Sequence, residues 1–251
     1  MHYFFLEGYT LTGGLEVDLH EQDLNHAYRV LRLKPGDRVA VADARGKALS
    51  AVITISEPQR VRVRLGDELP SAESPLNITL FQSLSRGEKM DLVIRQAVEL
   101  GVKKIVPVAV SRSIPNLGGP KGEKKIRRWQ NIARSAAAQC RRAFLPPVEQ
   151  ALDLKDTLAE FNRYRTLVPW EDESRISLSG VLKQPCPEDK AVLLFIGPEG
   201  GFENSEIEAI RDSGAQIIHL GPRIMRTETA AAAVVAVIQA EWGDLGKERE
   251  I

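Results

Sequence analysis

"AVLLFIGPEGGFENSE" (residues 191–206) and "AQIIHLGPRIMRTETA" (residues 215–230) decide the fold. Each opens on a short apolar run, breaks at Gly-Pro, and continues into residues that favour a helix. A short apolar run bounded by a turn signal reads as a strand buried on both faces. A strand, a tight loop and a helix in series form half of a parallel crossover unit, so two in succession predict an α/β domain with a largely parallel sheet.

The same alternation extends upstream. "LNITLFQSL" (76–84), "KKIVPVAV" (103–110) and "YRTLVPW" (164–170) read as further strands. "EKMDLVIRQAVEL" (88–100) reads as a helix with Met90, Val93, Ile94, Ala97 and Val98 on one face, and Gly101 follows its end. "EKKIRRWQNIARSAAAQCRR" (123–142) predicts a long helix whose apolar stripe runs through Ile126, Trp129, Ile132, Ala133, Ala136, Ala137 and Cys140. Its other face carries Lys124, Lys125, Arg127, Arg128, Arg134, Arg141 and Arg142. The last helix, "TAAAAVVAVIQAEW" (229–242), is small and apolar nearly all round, so it must be covered on more than one side.

The first third has a different period. From Arg38 to Asp67 short β-branched stretches alternate with polar residues and break at Arg45-Gly46 and Glu57-Pro58, which predicts a meander of strands closing into a small barrel. Before it, "DLNHAYRVLRLKPGD" predicts a short helix burying Leu24, Ala27, Val30 and Leu31. The polar segment "DELPSAESP" (67–75) marks a boundary, giving a β-barrel over residues 1–72 and an α/β domain over residues 73–251.

Composition narrows the chemistry. The chain has 34 Lys and Arg against 34 Asp and Glu, a net charge of zero that hides an uneven distribution. Residues 75–142 carry 14 basic against 4 acidic side chains, which suits a polyanionic partner or a solvated face balanced by acidic neighbours. Cys140 and Cys186 lie far apart with no metal-ligand spacing, so neither a disulfide framework nor a zinc site is expected and a reducing cytoplasm fits best. "MHYFFLEGYT" lacks a basic stretch followed by an apolar one and does not read as a secretory signal, and no apolar run is long enough to span a bilayer.

In an open parallel sheet, ligands bind outside the carboxyl ends of the strands. If the strands ending at Ile196 and Leu220 are neighbours, the Gly-Pro loops form opposite lips of one crevice. Gly197, Gly200 and Gly201 let backbone approach a ligand, while Pro198 and Pro222 stiffen the loops. Thr227 reads as the N-cap of the last helix and Glu228 as a first-turn acid. Arg226 has no such local reason, because a helix N-terminus is already positive, and it suits an anionic or incipiently anionic ligand.

"HAYRVLRLKPGD", "SRGEKMDLVIRQAVELGV", "RWQNIARSAAAQC", "IGPEGGFENSE" and "LGPRIMRTETAAAAVV", in this order after "MHYFF", closely resemble the bacterial 16S ribosomal RNA uracil-N3 methyltransferases of the knotted SPOUT superfamily. The resemblance implies a PUA-like N-terminal barrel, a C-terminal α/β domain with a trefoil knot, a homodimer, S-adenosylmethionine as methyl donor, and a uridine of the small-subunit RNA as target. It implies a cofactor site lined by Leu167, Pro169, Ile196, Gly197, Glu199, Gly200, Leu220, Gly221, Ile224, Met225, Thr229 and Ala230. RNA contacts would fall to Arg29, Arg32, Arg86, Lys89, Arg112, Lys124, Arg127, Arg128 and Arg141. Tyr3 and "QCRRAF" depart from the pattern, many relatives having Arg at the first and Gly beside the Arg at the second.

Uracil N3 becomes nucleophilic only after losing its proton, which leaves negative charge shared with O2 and O4. Arg226 is the candidate to stabilise that charge, and Glu199 or Glu228 to take the proton; no metal is called for. One alternative is a dehydrogenase, which requires a Gly-rich turn after the first strand where this chain has "SLSRGEKM". The other is a non-catalytic RNA-binding ribosome-assembly protein, which predicts no cofactor pocket.

Overall fold

A computed structural model describes residues 1–113 and 119–248. The chain divides into two compact units, Met1–Glu73 with Arg134–Leu145, and Ser74–Ala133 with Pro146–Ile251.

The first unit contains β1 (Tyr3–Phe5), β2 (Glu16–Asp18), α1 (Glu21–Asn25), β3 (Arg38–Ala42), β4 (Ala48–Glu57) and β5 (Arg60–Glu68). Its sheet has the order β1-β3-β4-β5-β2, with β1 parallel to β3 and the remaining pairs antiparallel. The alternating pattern of β3 to β5 places Val39, Val41, Leu49, Ala51, Ile53, Val61, Val63 and Leu65 in one buried cluster with Phe4 and Leu6. Register shifts at Leu49/Ala51 and Ile53/Ile55 bend β4 and increase its twist, so the sheet curls round this core. The ring is nevertheless open, since β1 and β2 are its edges.

The short helix departs from expectation. After α1 the backbone passes into a π-helical turn over His26–Val30, with the Leu31 N–H bonded to the His26 carbonyl. The wider turn breaks the 3.6-residue period, so Ala27 is buried, Leu24 and Leu31 pack against the core, and Val30 is left 61% exposed.

Residues 134–145 return to this unit through charged anchors. The Arg134 guanidinium donates to the Phe5 carbonyl (3.0 Å), Glu7 (2.6 Å) and Asp23 (2.9 Å). Arg142 is buried against Glu73 (2.8 Å), which also accepts from the Phe144 N–H (3.1 Å). Both arginines, read from sequence as part of a basic face, are consumed by structure.

The second unit is a six-stranded, all-parallel sheet. Its elements are β6 (Asn77–Ser83), α2 (Lys89–Glu99), β7 (Lys104–Ala109), α3 (Gly119–Cys140), β8 (Leu152–Asp153), α4 (Leu154–Phe161), β9 (Arg165–Pro169), α5 (Leu178–Leu182), β10 (Ala191–Ile196), α6 (Asn204–Asp212), β11 (Gln216–Ile218) and α7 (Thr227–Glu241). The strand order is β11-β9-β10-β6-β7-β8. The division between the units falls inside α3. β8, α4 and α5 went unread because such short elements carry too few residues for a period to show.

Hydrophobic burial holds the sheet between its helices. α2 buries the expected Met90, Val93, Ile94, Ala97 and Val98, each gaining roughly 1.5–3 kcal/mol for the larger side chains before entropy is charged. It also buries Asp91, which accepts from Trp129 Nε1 (3.1 Å) and from Arg128. α7 is tied down by Gln239, whose amide accepts from Ser74 Oγ (2.7 Å) and donates to the Leu100 carbonyl (2.8 Å). Elsewhere on α7, Ala233 and Ala236 are half-buried and Val237 is exposed. No helix of the described residues is long and apolar enough to cross a membrane.

Candidate active site

The strands that end at Ile196 and Ile218 are not neighbours. β9 lies between them, paired to both, so three parallel strands end side by side: Ile218 is the register partner of Pro169, and Leu194 of Leu167. The two Gly-Pro loops therefore flank a third segment, Pro169-Trp170-Glu171, and the three together enclose a cavity of about 700 Å³. A volume of this size suits a nucleotide-sized ligand.

The first lip is built on an aromatic anchor. Phe202 packs edge-on against Phe195 with centroids 5.1 Å apart, inside a cluster that includes Phe81 and Phe161. A Cβ at Gly197 would stand 2.8 Å from the Phe202 ring, so no larger residue fits beneath it. Gly201 has φ +70°, and a Cβ there would collide with the Glu171 carboxylate. After the loop, α6 starts with a reciprocal cap in which the Glu203 N–H donates to Glu206 (2.9 Å), while Glu206 also accepts from the Ser111 N–H (2.8 Å).

The second lip runs from His219 to α7. The residue at the N-cap is Arg226, in extended conformation with no side-chain cap bond, and Thr227 is the first helical residue rather than the cap. Thr227 is 5% exposed, and its hydroxyl spans the lips by donating to the Gly197 carbonyl at 2.8 Å. With its side chain free of capping and exposed on the cavity wall, Arg226 places a cation where the helix dipole already favours negative charge.

Of the residues expected to hold a cofactor, Pro169, Ile196, Gly197, Glu199, Leu220, Gly221, Ile224, Met225 and Ala230 line the cavity. Leu167 is fully buried within β9 and does not reach it. Gly200 faces Arg112, which donates to its carbonyl (3.0 Å), and Thr229 points to solvent one residue before Ala230; neither is on the wall. Glu228 is also off the wall, with its Oε2 buried and lacking a hydrogen-bond partner. The wall gains residues that the sequence did not single out, among them Trp170, Glu171, Phe202, His219 and Arg223. The first two come from the end of the strand read as "YRTLVPW" and the residue after it, of which only Leu167 and Pro169 were assigned to the site.

The cations expected on RNA have diverse fates. Lys89 is on the cavity wall, its Nζ 2.7 Å from Glu199 Oε1. That hydrogen bond, helped by the Arg86 backbone N–H and by the charges of both residues, lowers the Glu199 pKa against the opposing effect of burial. Arg128 is engaged by Asp91 and belongs to the α2–α3 contact, not to an open basic face. Lys124 and Arg127 are exposed, and Arg127 makes a 4.0 Å contact with Glu123. Arg29 and Arg32 are exposed beside the π-helical turn, and Arg141 is exposed just past α3. No group of three or more His, Cys, Asp and Glu able to hold a metal occurs among the described residues.

A family model described as an RNA methyltransferase domain matches residues 72–239, and one described as an RNA methyltransferase PUA domain matches residues 19–66. The ribosomal RNA small subunit methyltransferase E of Aquifex aeolicus is 30% identical over 247 residues, 95% of this chain and 99% of its own. The crystal structure of a ribosomal RNA small subunit methyltransferase E from Neisseria gonorrhoeae bound to S-adenosyl methionine is similar with a TM-score of 0.88 and 34% identity, covering 98% of this chain and 99% of that one. A Legionella pneumophila protein in complex with the cofactor SAM gives a TM-score of 0.86 at 32% identity, over 97% and 98% of the two chains.

Proposed function

The chain belongs to the RNA methyltransferase family that includes the ribosomal RNA small subunit methyltransferases E, and from that premise we propose that it methylates N3 of one uridine in 16S ribosomal RNA, using S-adenosylmethionine. The observation that carries this reading is the cavity at the ends of β9, β10 and β11, with Arg226 on its wall.

The cavity suits the cofactor. Apolar groups from Ile196, Leu220, Met225 and Ala230 offer a seat for an adenine ring, and the close backbone at Gly197 and Gly201 brings N–H and C=O groups within reach of polar edges. Bound there, S-adenosylmethionine would supply a methyl group on a cationic sulfur, transferable in line without a metal.

The protein's own groups handle the uridine. Arg226 stabilises the charge that develops on O2 and O4 as the N3 proton leaves, in the manner of an oxyanion donor. Glu199, which lines the cavity and is held ionised by Lys89, takes that proton directly or through water. Glu228 is the second candidate acceptor. The flanking phosphates lie on Lys124, Arg127 and Arg141 and on Arg29, Arg32, Arg86 and Arg112, and the uridine is extruded from its stack to reach the cavity.

In this reading residues 1–72 act as the RNA-binding half and 73–251 as the methyltransferase half. The last helix threads through the loop of the preceding strands as a trefoil knot, and its partly exposed side with Ala233, Ala236 and Val237 packs against a second copy in a cytoplasmic homodimer. A calorimetric titration with S-adenosylmethionine, followed by transfer of labelled methyl to 16S RNA or small subunits, tests the reading. Absence of S-adenosylmethionine binding would favour the non-catalytic ribosome-assembly role instead.

A further inference from the structure

We infer that Gln82, which lies outside the cavity wall, is a positioning residue that fixes the direction of the hydrogen bond joining the two lips and so sets the seat of the cofactor; this rests on the cavity being the S-adenosylmethionine site. Gln82 is the register partner of Ile196 near the end of β6 and is fully buried. Its amide nitrogen lies 3.2 Å from the Ser83 carbonyl and 2.9 Å from Thr227 Oγ1. A carbonyl can only accept, so the side of the amide that faces Ser83 must be the NH2 group. The same group then donates to the Thr227 hydroxyl.

A hydroxyl has one hydrogen to give. With Gln82 donating to Thr227, that hydrogen is directed to the Gly197 carbonyl, 2.8 Å away. The chain therefore runs one way, from the Gln82 N–H through the Thr227 O–H to the Gly197 C=O. Gly197 lacks a side chain to hold its peptide in place, and Thr227 opens the helix that carries Arg226. One buried amide thus sets the peptide plane of the first lip and the start of the second. Both Gly197 and Thr227 lie on the cavity wall.

The test compares wild type with Gln82→Met, Thr227→Val, Thr227→Ser and the double variant Gln82→Met/Thr227→Val. Met is close in volume to Gln and should be accommodated even if the valine variant does not fold. The Met and Val variants each lose two neutral buried hydrogen bonds, with the Gln82–Thr227 bond common to both, and loss of that shared bond should weaken S-adenosylmethionine binding about threefold to tenfold in each. Thr227→Ser should restore affinity, and the double variant should bind no more weakly than Thr227→Val alone, because the chain is already broken. In the protein without cofactor, amide exchange over residues 197–202 should be faster in Gln82→Met and normal in Thr227→Ser. Unchanged affinity and unchanged exchange in Gln82→Met, or effects that simply add in the double variant, would overturn the inference. Faster exchange in Gln82→Met with no cofactor binding by wild type would leave the Gln82 clasp standing and overturn the cofactor assignment.

Discussion

Lys89 Nζ lies 2.7 Å from Glu199 Oε1 on the wall of the cavity, and this contact is the main reason the Glu199 pKa is lowered. A carboxylate depressed in the folded state stabilises it above the unfolded pKa and loses that contribution as pH falls through the folded value. The stability difference between wild type and Glu199→Gln should therefore be constant above about pH 5 and shrink only in acid, below the ordinary glutamate value of about 4.3. In Lys89→Met the acid limb of the activity profile should move up toward that value, since the hydrogen bond holding the proton off is gone. A limb that does not move would transfer the proton-accepting role to Glu228.

Lys124 and Arg127 are the test of the RNA surface, because Arg128, Arg134 and Arg142 on the same stretch already have carboxylate partners. Removing one phosphate-neutralising side chain should flatten the salt dependence of RNA binding by about 0.7–0.9 in log–log slope. The Lys124→Ala/Arg127→Ala protein should show that change for each of its two substitutions with unaltered cofactor affinity, measured by titration at several salt concentrations. An unchanged slope would move the RNA-binding surface to Arg29 and Arg32.

Arg141 adopts φ +64° just past α3, a left-handed conformation that glycine enters without steric cost. Arg141→Gly should raise stability by about 0.5–1 kcal/mol, set by relief of left-handed strain against glycine's greater unfolded-state freedom. Denaturant unfolding measures it, and a destabilised variant would mean that the arginine side chain contributes more than the strain removes.

Ala233 is half-buried on α7, on the side proposed to meet a second copy, so if the protein dimerises there Ala233→Asp should yield monomers and weaken cofactor binding with it. Light scattering that finds a stable dimer of the variant would remove this helix from the interface.

Much of the fold was legible because the period was. The apolar runs of β6, β7, β9, β10 and β11 and the buried faces of α2 and α3 are local patterns that the packing kept. Val30 was misread because a π-helical turn changes the period without any residue announcing it. Arg128, Arg134 and Arg142 looked like one basic face because charge is visible in sequence while a partner such as Asp91, Asp23 or Glu73 is chosen by tertiary structure. In the site, all three strands were readable, but the placement of β9 between the two that carry the Gly-Pro loops was not, because sheet order is chosen by tertiary packing. Thr227 illustrates the same limit: its position suggests a cap, and only the approach of Gly197 and Gln82 turns it into a bridge.

The most direct test is nucleoside mass spectrometry of 16S RNA from cells that lack the protein, complemented with wild type or with Arg226→Ala. One uridine methylated at N3 should be absent without the protein and restored by wild type. Purified Arg226→Ala should bind S-adenosylmethionine normally but transfer methyl about 100- to 1000-fold more slowly, as expected when one preorganised donor to a developing anion is removed. A full complement of 3-methyluridine in the RNA of cells without the protein would contradict the proposed reaction, and an Arg226→Ala enzyme with normal turnover and collapsed cofactor affinity would contradict the role assigned to that residue.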